Sequence, residues 1–199
     1  MNSATISILV PFLNEEENLP VLYERTAALF DTLSESLELI FIDDGSTDGS
    51  LAWVKQIAQH DQRVKFIQLS RNFGHQRAIT AGMHQCKGDA AVIIDADLQD
   101  PPEVIRDLIE AWKEGYEVVH TKRTKREGEG IFKLFLTKYA YKLINIFSEI
   151  KLNENSGIFK LFTKKVAKII LSTNDHDPYL RGMFNWVGFK QKTLDYERK

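Results

Sequence analysis

The sequence contains a single cysteine, Cys86, among its 199 residues, so no disulfide can form within the chain. A reducing, cytoplasmic environment is the simplest expectation for such a chain. The sequence also lacks any run of the roughly 20 apolar residues that a membrane-spanning helix needs. Its first apolar run, Ile6 to Leu13, has no basic leader of the signal-peptide type. We therefore expect a soluble or peripheral protein.

The chain also has little net charge. Its 26 basic and 28 acidic residues leave a formal charge of −2, which gives no overall field that favours nucleic acid. We therefore expect no nucleic-acid partner. A hydrophobic fraction of 43% is ordinary for a globular protein, and the length suits one α/β domain with a small appendage.

Short apolar segments rich in Ile and Val alternate with segments of helical periodicity over the first 121 residues. The predicted strands are Thr5–Pro11, Leu37–Asp43, Val64–Ser70, Asp89–Asp95 and Tyr116–Thr121. The predicted helices are Glu16–Leu33, Asp48–His60, His75–Cys86 and Pro102–Glu114. This alternation predicts an α/β fold, with a Rossmann-like, mostly parallel central sheet and helices on both faces. A mixture of short strands and helices is expected in Ser156–Lys199.

Polar residues follow four of the predicted strands directly. They lie in Pro11–Glu15, Asp43–Ser46, Ser70–Asn72 and Asp95–Asp97. In open parallel sheets, ligands bind in the crevice beyond the carboxyl ends of the strands. We therefore expect these four segments to form one ligand cleft.

Asp95 and Asp97 lie two residues apart, directly after an apolar run. Carboxylates are hard oxygen ligands that suit Mg²⁺ or Mn²⁺. A cation held in this way can also bind a diphosphate and stabilise the charge that develops on a leaving nucleoside diphosphate. The alternative is a solvated turn whose acids cap the next helix, but the position at a strand end favours a site.

Two further groups of polar residues have both a binding and a structural interpretation. Asp43 and Asp44 can accept hydrogen bonds from a base or a ribose, while Ser46–Asp48 can cap the following helix. Arg71, Gly74 and His75 lie where a strand meets a helix, and a helix N-terminus favours phosphate. His75 can equally cap that helix or pack locally.

The segment 122–147 combines basic and aromatic residues. The segment Lys122–Lys142 contains seven Lys and Arg residues but only two Glu residues. The apolar run Ile131–Phe147 overlaps this basic segment. A helix of this kind is typical of an anionic membrane surface, although a core helix is the simpler interpretation. We expect it to contact a membrane or a second subunit, as in a homo-oligomer.

Five sequence segments together resemble the family 2 glycosyltransferases with the GT-A fold. They are Val10–Glu16, Ile42–Asp48, Leu69–Gln76, Asp95–Glu103 and Leu180–Met183, the last followed by Trp186–Phe189. They occur in the family's order and cover nearly the whole chain. The string Asp-Ala-Asp-Leu-Gln-Asp-Pro-Pro-Glu is similar to the polyprenyl-phosphate branch, which includes dolichol-phosphate mannose synthases and bactoprenol glucosyltransferases.

The resemblance implies a role for particular residues. The implied nucleotide-sugar contacts are Pro11, Leu13, Glu15, Asp43, Asp44, Arg71, Gly74, His75, Asp95 and Ala96. The implied metal ligands are Asp95, Asp97 and Gln99, and the implied catalytic residues are Asp95, Asp97 and Arg123. Arg181 and Arg198 match acceptor-side positions. The resemblance further implies a Mg²⁺ or Mn²⁺ ion, a UDP-sugar more than a GDP-sugar, and a lipid-phosphate acceptor at the inner membrane face.

Residues 1–121 would then be the nucleotide-sugar-binding core, and residues 122–199 the acceptor-side region of the same catalytic domain. Two departures from the family leave alternatives open. Asn155 and Ile158 replace acids that many relatives carry, and the chain stops where relatives continue into a basic motif and membrane helices. The alternatives are a soluble acceptor, a nucleotide-sugar-binding domain without catalysis, and a nucleotidyltransferase.

Overall fold

The computed structural model describes residues 3–124, 156–173, 175 and 178–197. The strands in these ranges are Thr5–Phe12 (β1), Ser36–Asp43 (β2), Val64–Gln68 (β3), Ala90–Ile93 (β4), Val118–Arg123 (β5), Ser156–Thr163 (β6) and Gln191–Tyr196 (β7). The α-helices are Asn18–Phe30 (α1), Ser50–His60 (α2), His75–Gln85 (α3), Ile105–Lys113 (α4), Lys164–Ser172 (α5) and Leu180–Trp186 (α6). A short 3-10 turn, Pro102–Val104, precedes α4.

The described strands form one sheet in the order β3-β2-β1-β4-β6-β5-β7. The pairs β1–β2, β1–β4, β2–β3 and β5–β7 are parallel, whereas β6 runs antiparallel between β4 and β5. The predicted mostly parallel central sheet is therefore confirmed. Strands β6 and β7 lie in residues 122–199, the part of the chain predicted to be on the acceptor side, yet they complete the sheet that the first 121 residues begin.

Helices cover both faces of the sheet, as predicted. Alternate residues of a strand point to opposite faces, so Ile8 and Val10 of β1 join one hydrophobic cluster, while Leu9 joins the other. Helices α1, α2 and α4 contribute to the first cluster, and α3, α5 and α6 contribute to the second. Burial of both faces explains why the strands consist of nearly continuous apolar runs.

The predicted elements are present, with ends that shift by a few residues. Helix α1 begins at Asn18 rather than Glu16, and β5 runs from Val118 to Arg123 rather than from Tyr116 to Thr121. The predicted helix Pro102–Glu114 begins with the 3-10 turn, whose first residue is Pro102. Proline is tolerated there because the first N–H groups of a helix have no partner within it. These shifts leave the polar segments at the strand ends.

Across the described ranges, no helix has both the length and the apolar character that crossing a bilayer requires. Residues 125–147 of the basic, aromatic segment lie outside the described residues, and so do Asn155 and Arg198. The predicted membrane or subunit contact of this segment stays a prediction.

Candidate functional site

A cleft of about 440 Å³ opens beyond the carboxyl ends of β1, β2 and β4 and the N-terminus of α3. Its walls are formed by Pro11, Phe12, Leu13, Glu15, Asp44, Asn72, Gly74, His75, Ala78, Asp95, Ala96 and Asp97. Most of these residues were singled out from the sequence. They meet here because β1 pairs with both β2 and β4, which brings three strand ends to one edge.

The sequence interpretation missed one lining residue, Ala78, and gave no individual role to Phe12 and Asn72, which lie in two of the segments expected to form the cleft. Phe12 and Asn72 are direct neighbours of residues that were selected. Ala78 lies three residues after His75 in α3, and helical periodicity alone would have placed these two side chains on one face.

Asp44, which follows β2, is hydrogen-bonded to the segment before α3 on the other side of the cleft. It is 5% exposed, and its carboxylate accepts hydrogen bonds from the backbone N–H groups of Phe73 and Gly74, at 2.7 and 3.0 Å. These bonds hold the segment that leads into α3. Asp43 is also buried, and its carboxylate accepts a hydrogen bond from the Ser46 N–H at 2.8 Å. Asp43 is not among the lining residues, so in this structure it shapes the loop behind the cleft.

The loops after β1 and β2 are joined by side chains as well. Asn14, at a φ of 57°, accepts a hydrogen bond from the Thr47 N–H through its side chain. The Ser46 hydroxyl accepts one from the Asn14 N–H. Asp48 accepts a hydrogen bond from the Ser50 N–H at the start of α2. The N-cap of α2 is Gly49, which makes no side-chain capping bond, so none of the expected residues Ser46–Asp48 is the N-cap.

Replacing Asp44 with asparagine should lower the free energy of unfolding by about 1–3 kcal/mol, because the amide NH₂ would face a buried backbone N–H that loses its acceptor. The same change should weaken nucleotide binding, since the wall that carries Gly74 and His75 would shift. Urea denaturation and UDP titration measure the two effects. Asp195→Asn, an exposed carboxylate on β7, is the matched control. Equal stability of the two variants would contradict the structural role of Asp44.

The acidic turn after β4 presents two carboxylates to the cleft. The Asp95 carboxylate accepts a hydrogen bond from Nε2 of His75 at 2.8 Å, since an ionised carboxylate can only accept. The Asp97 carboxylate accepts one from the Gln99 N–H at 3.0 Å. Leu98, which lies between Asp97 and Gln99, has a φ of 57°. This left-handed conformation costs a non-glycine residue roughly 1–2 kcal/mol. Leu98 packs against the first hydrophobic cluster, and this contact supports the turn.

The donor chemistry of this turn fits a hard divalent cation. Asp95 and Asp97 are both partly exposed on the cleft wall, and the Gln99 side chain is exposed nearby in sequence. Among the described residues, no group of three His, Cys, Asp or Glu side chains could enclose a metal by itself. Mg²⁺ is commonly held by one or two carboxylates together with substrate phosphates and water, which matches two acids in an open cleft.

Arg123 lies elsewhere. Its guanidinium donates to the Asp100 carboxylate at 3.1 Å and to the Tyr196 hydroxyl at 3.0 Å, and the Tyr196 hydroxyl also donates to Asp100. Burial, together with this hydrogen bond to Asp100, raises the pKa of Tyr196 to about 12, so the phenol stays protonated. The cluster joins the end of the acidic turn to β5 and β7. Arg123 is not among the lining residues, and its catalytic role stays a prediction.

The remaining predicted residues do not line the cleft. Arg71 is exposed, with its guanidinium carbon 4.0 Å from the centre of the Phe73 ring. Arg181 lies on α6, and a hydrogen bond from the Leu180 N–H to the Gln76 side chain joins the start of α6 to α3. Gln99 is exposed and is not among the residues that line the cleft.

A mostly parallel sheet covered by helices on both faces, with a polar cleft at the carboxyl ends of its strands, defines a doubly wound α/β protein with a ligand-binding edge. The family model for Glycosyl transferase family 2 matches residues 7–171. The chain therefore belongs to that family, as its sequence motifs indicated.

Two similar proteins illustrate the relationship. The uncharacterized glycosyltransferase YkcC of Bacillus subtilis strain 168 is 46% identical over 192 residues, which are 96% of this chain and 59% of that protein. The prophage bactoprenol glucosyl transferase homolog of Escherichia coli K12 is 37% identical over 193 residues, covering 97% and 63%. The chain thus spans about three fifths of the length of these curated relatives.

Solved structures share the GT-A fold. Glucosyl-3-phosphoglycerate synthase from Mycobacterium tuberculosis, in complex with Mn²⁺, UDP and phosphoglyceric acid, superposes with a TM-score of 0.64 at 20% identity, over 98% of this chain and 71% of that one. S. aureus TarS 1-349 in complex with UDP-GlcNAc gives 0.65 at 19% identity, over 98% and 59%. The predicted fold class is therefore confirmed.

Proposed function

We propose that this chain is the catalytic domain of an inverting glycosyltransferase, which moves a sugar from a UDP-sugar to a polyprenyl phosphate. The observation that carries the proposal is the shared cleft: the acids Asp95 and Asp97 line it together with Pro11, Glu15 and Asp44. Similarity to a bactoprenol glucosyl transferase homolog supports the lipid-phosphate acceptor. Solved structures of similar fold that contain UDP and Mn²⁺ support the donor and the metal.

In this proposal the cleft has two parts. Pro11, Leu13 and Glu15 hold the nucleoside, with Asp44 fixing the opposite wall. Asp95 and Asp97, aided by Gln99, hold a Mg²⁺ or Mn²⁺ ion beside the diphosphate. When bound, that ion would supply positive charge to the leaving diphosphate. The protein's own residues would position the donor and keep its anomeric carbon accessible.

The proposed reaction is a single displacement. A phosphate oxygen of the acceptor forms a bond to the anomeric carbon, while the bond from that carbon to the donor diphosphate breaks. The bonding electron pair leaves with the nucleoside diphosphate, and the anomeric centre is inverted. A phosphate acceptor is an anion at neutral pH, so it needs no general base.

The environment of Ile158 is compatible with an anionic acceptor. Ile158 replaces an acid that many relatives carry, and in this chain it packs against the second hydrophobic cluster. This position therefore supplies no base for a hydroxyl. We further propose that the protein meets its acceptor peripherally at the cytoplasmic membrane face, with segment 122–147 against the lipid.

The proposal predicts sugar transfer to lipid phosphate in vesicles. The chain would be incubated with Mn²⁺, a panel of UDP- and GDP-sugars, and anionic vesicles that contain undecaprenyl phosphate. Mass spectrometry should detect a glycosylated lipid phosphate and free UDP, and flotation should recover the protein with the vesicles. Vesicles without undecaprenyl phosphate are the control.

Other outcomes would identify the alternatives. Transfer only to a soluble glycan would replace the lipid acceptor. Nucleotide binding without turnover would support a binding domain, and release of pyrophosphate would indicate a nucleotidyltransferase. Absence of the protein from the floated vesicles would contradict the membrane contact.

A further inference from the structure

A buried lysine for which the described residues provide no counter-ion lies on the α3 side of the sheet. Lys160 of β6 is 0% exposed, and its ammonium has no hydrogen-bond partner among the described residues. An unpaired buried charge is destabilising, so a protein that keeps one usually has a use for it. No step of the proposed reaction described above requires this residue.

The surroundings of Lys160 are positive. Its Nζ lies 4.9 Å from the centre of the Phe184 ring of α6, and Arg181 lies one helical turn before Phe184. Burial and the nearby Arg181 guanidinium lower the pKa of Lys160 to about 7. His120, the partner of Lys160 on β5, is also buried. Burial and Lys160 together lower its pKa to about 4, so it is neutral near pH 7.

The position of Lys160 relates this positive group to the candidate site. Lys160 pairs with Ile93 of β4, two residues before Asp95, so it lies near the strand end that carries the acidic turn. Helix α6, which covers Lys160, is joined through Gln76 to α3, and His75 of α3 holds Asp95. Arg181 is only partly buried, whereas Lys160 is fully buried.

We propose that Lys160 and Arg181 form an anion subsite that binds the phosphate group of the acceptor. The inference rests on the proposed function, which requires one phosphate besides the diphosphate of the donor. Two cations without a described acid partner provide the charge that a phosphate needs, and the apolar Phe184 ring limits competition from water. Binding of the anion restores a counter-ion to Lys160 and favours its protonated form.

The subsite predicts selective loss of lipid-phosphate binding when Lys160 is replaced with methionine. Farnesyl phosphate and, separately, UDP with Mn²⁺ would be titrated by calorimetry into the wild-type chain and the variant. We expect farnesyl phosphate affinity to fall by about tenfold or more, as for other buried charge partners, and UDP affinity to stay within about twofold. Lys168→Met, an exposed lysine on α5, removes the same charge and should change neither affinity.

Two further readouts separate binding from a structural role. At pH 8, titrations in two buffers of different ionisation enthalpy should show proton uptake when farnesyl phosphate binds the wild type, and less uptake in Lys160→Met. The pKa of His120 is about 4, so His120 stays neutral at this pH, and Lys160, with a pKa of about 7, is the side chain beside it that takes up the proton. The melting temperature of Lys160→Met should equal or exceed that of the wild type, because an unpaired buried charge is removed.

The outcomes distinguish this subsite from the proposed function. Unchanged farnesyl phosphate affinity in Lys160→Met, or no binding to the wild type, would overturn the subsite even if sugar transfer occurs. A lower melting temperature of Lys160→Met, with an equal loss of affinity for farnesyl phosphate and for UDP, would show that Lys160 stabilises the fold. This result would also overturn the subsite. Selective loss in a chain that transfers no sugar would support the subsite and count against the proposed function.

Discussion

Replacing Asp97 with asparagine should abolish Mn²⁺-dependent binding of UDP and lower sugar transfer by roughly 10³-fold, the loss expected when several kcal/mol of metal-assisted stabilisation is removed. Asparagine keeps the size of the side chain, and its amide oxygen can still accept the hydrogen bond from the Gln99 N–H. The turn should therefore keep its shape while the negative charge is lost. A change in metal binding would then report on the charge alone.

Calorimetric titration of UDP, with and without Mn²⁺, measures this prediction directly. Asp107→Asn removes an exposed carboxylate from α4 and serves as the control for net charge. Thermal unfolding of Asp97→Asn should match the wild type, because the change opens no cavity, and Asp107→Asn should melt only slightly lower, because it removes an acid from the first turn of α4. If Asp97→Asn binds UDP with unchanged dependence on Mn²⁺, the metal assignment is wrong, and with it the proposed chemistry of the acidic turn.

Replacing Gly45 with alanine should lower the free energy of unfolding by about 3 kcal/mol or more, since two costs combine. Gly45 has a φ of +85°, which strains any residue with a Cβ. An added Cβ would also lie 2.7 Å from the carbonyl carbon of Arg71 and 2.8 Å from the amide nitrogen of Asn72. Both contacts are with backbone atoms, so the segment that carries Asn72 would have to move.

Gly115→Ala provides a matched control for the conformational part of that cost. Gly115 has a similar φ of +89°, but an added Cβ would meet nothing within 4 Å. Its replacement should cost only about 1–2 kcal/mol. Urea denaturation of both variants measures the difference, and UDP titration should show weaker binding only for Gly45→Ala, because Asn72 lines the cleft. Equal losses of stability in Gly45→Ala and Gly115→Ala would contradict the close approach of Gly45 to the backbone of Arg71 and Asn72.

The clustering of polar residues at strand ends was predictable because parallel strands share a direction. Once the apolar runs were assigned to parallel strands, the segments that include Asp44, His75 and Asp95 had to fall on one edge of the sheet. The helix that begins at His75 was equally predictable, since Gly74 precedes a helical pattern at the end of a strand-to-helix connection. The structure places all of these residues around a single cleft.

The side-chain partners within that edge were not predictable in the same way. Asp44 resembled a ligand contact, but both of its oxygens accept backbone N–H groups from residues 29 and 30 positions away. Arg123 resembled a phosphate contact, but β7 pairs with β5 and places Tyr196 beside it. Such partners depend on which strands become neighbours, and local patterns carry no information about that.

Lys160 illustrates the same limit. In the sequence it is one lysine between Phe159 and Leu161, in a segment that suits a strand with one exposed position. The insertion of β6 between β4 and β5 buries both faces of that strand, and α6 then covers the lysine. A residue that looks like an ordinary surface lysine in the sequence is thereby buried, with no hydrogen-bond partner for its ammonium among the described residues.

The sequence by itself determined the α/β alternation, the family and the set of polar residues at the strand ends, because hydrophobic periodicity and short motifs are local properties of the chain. Only the tertiary structure decided the antiparallel place of β6, the pairing of Arg123 with Asp100, and the burial of Lys160. Each of these depends on contacts between residues far apart in the chain, and their geometry is set by packing of the whole sheet rather than by any single segment.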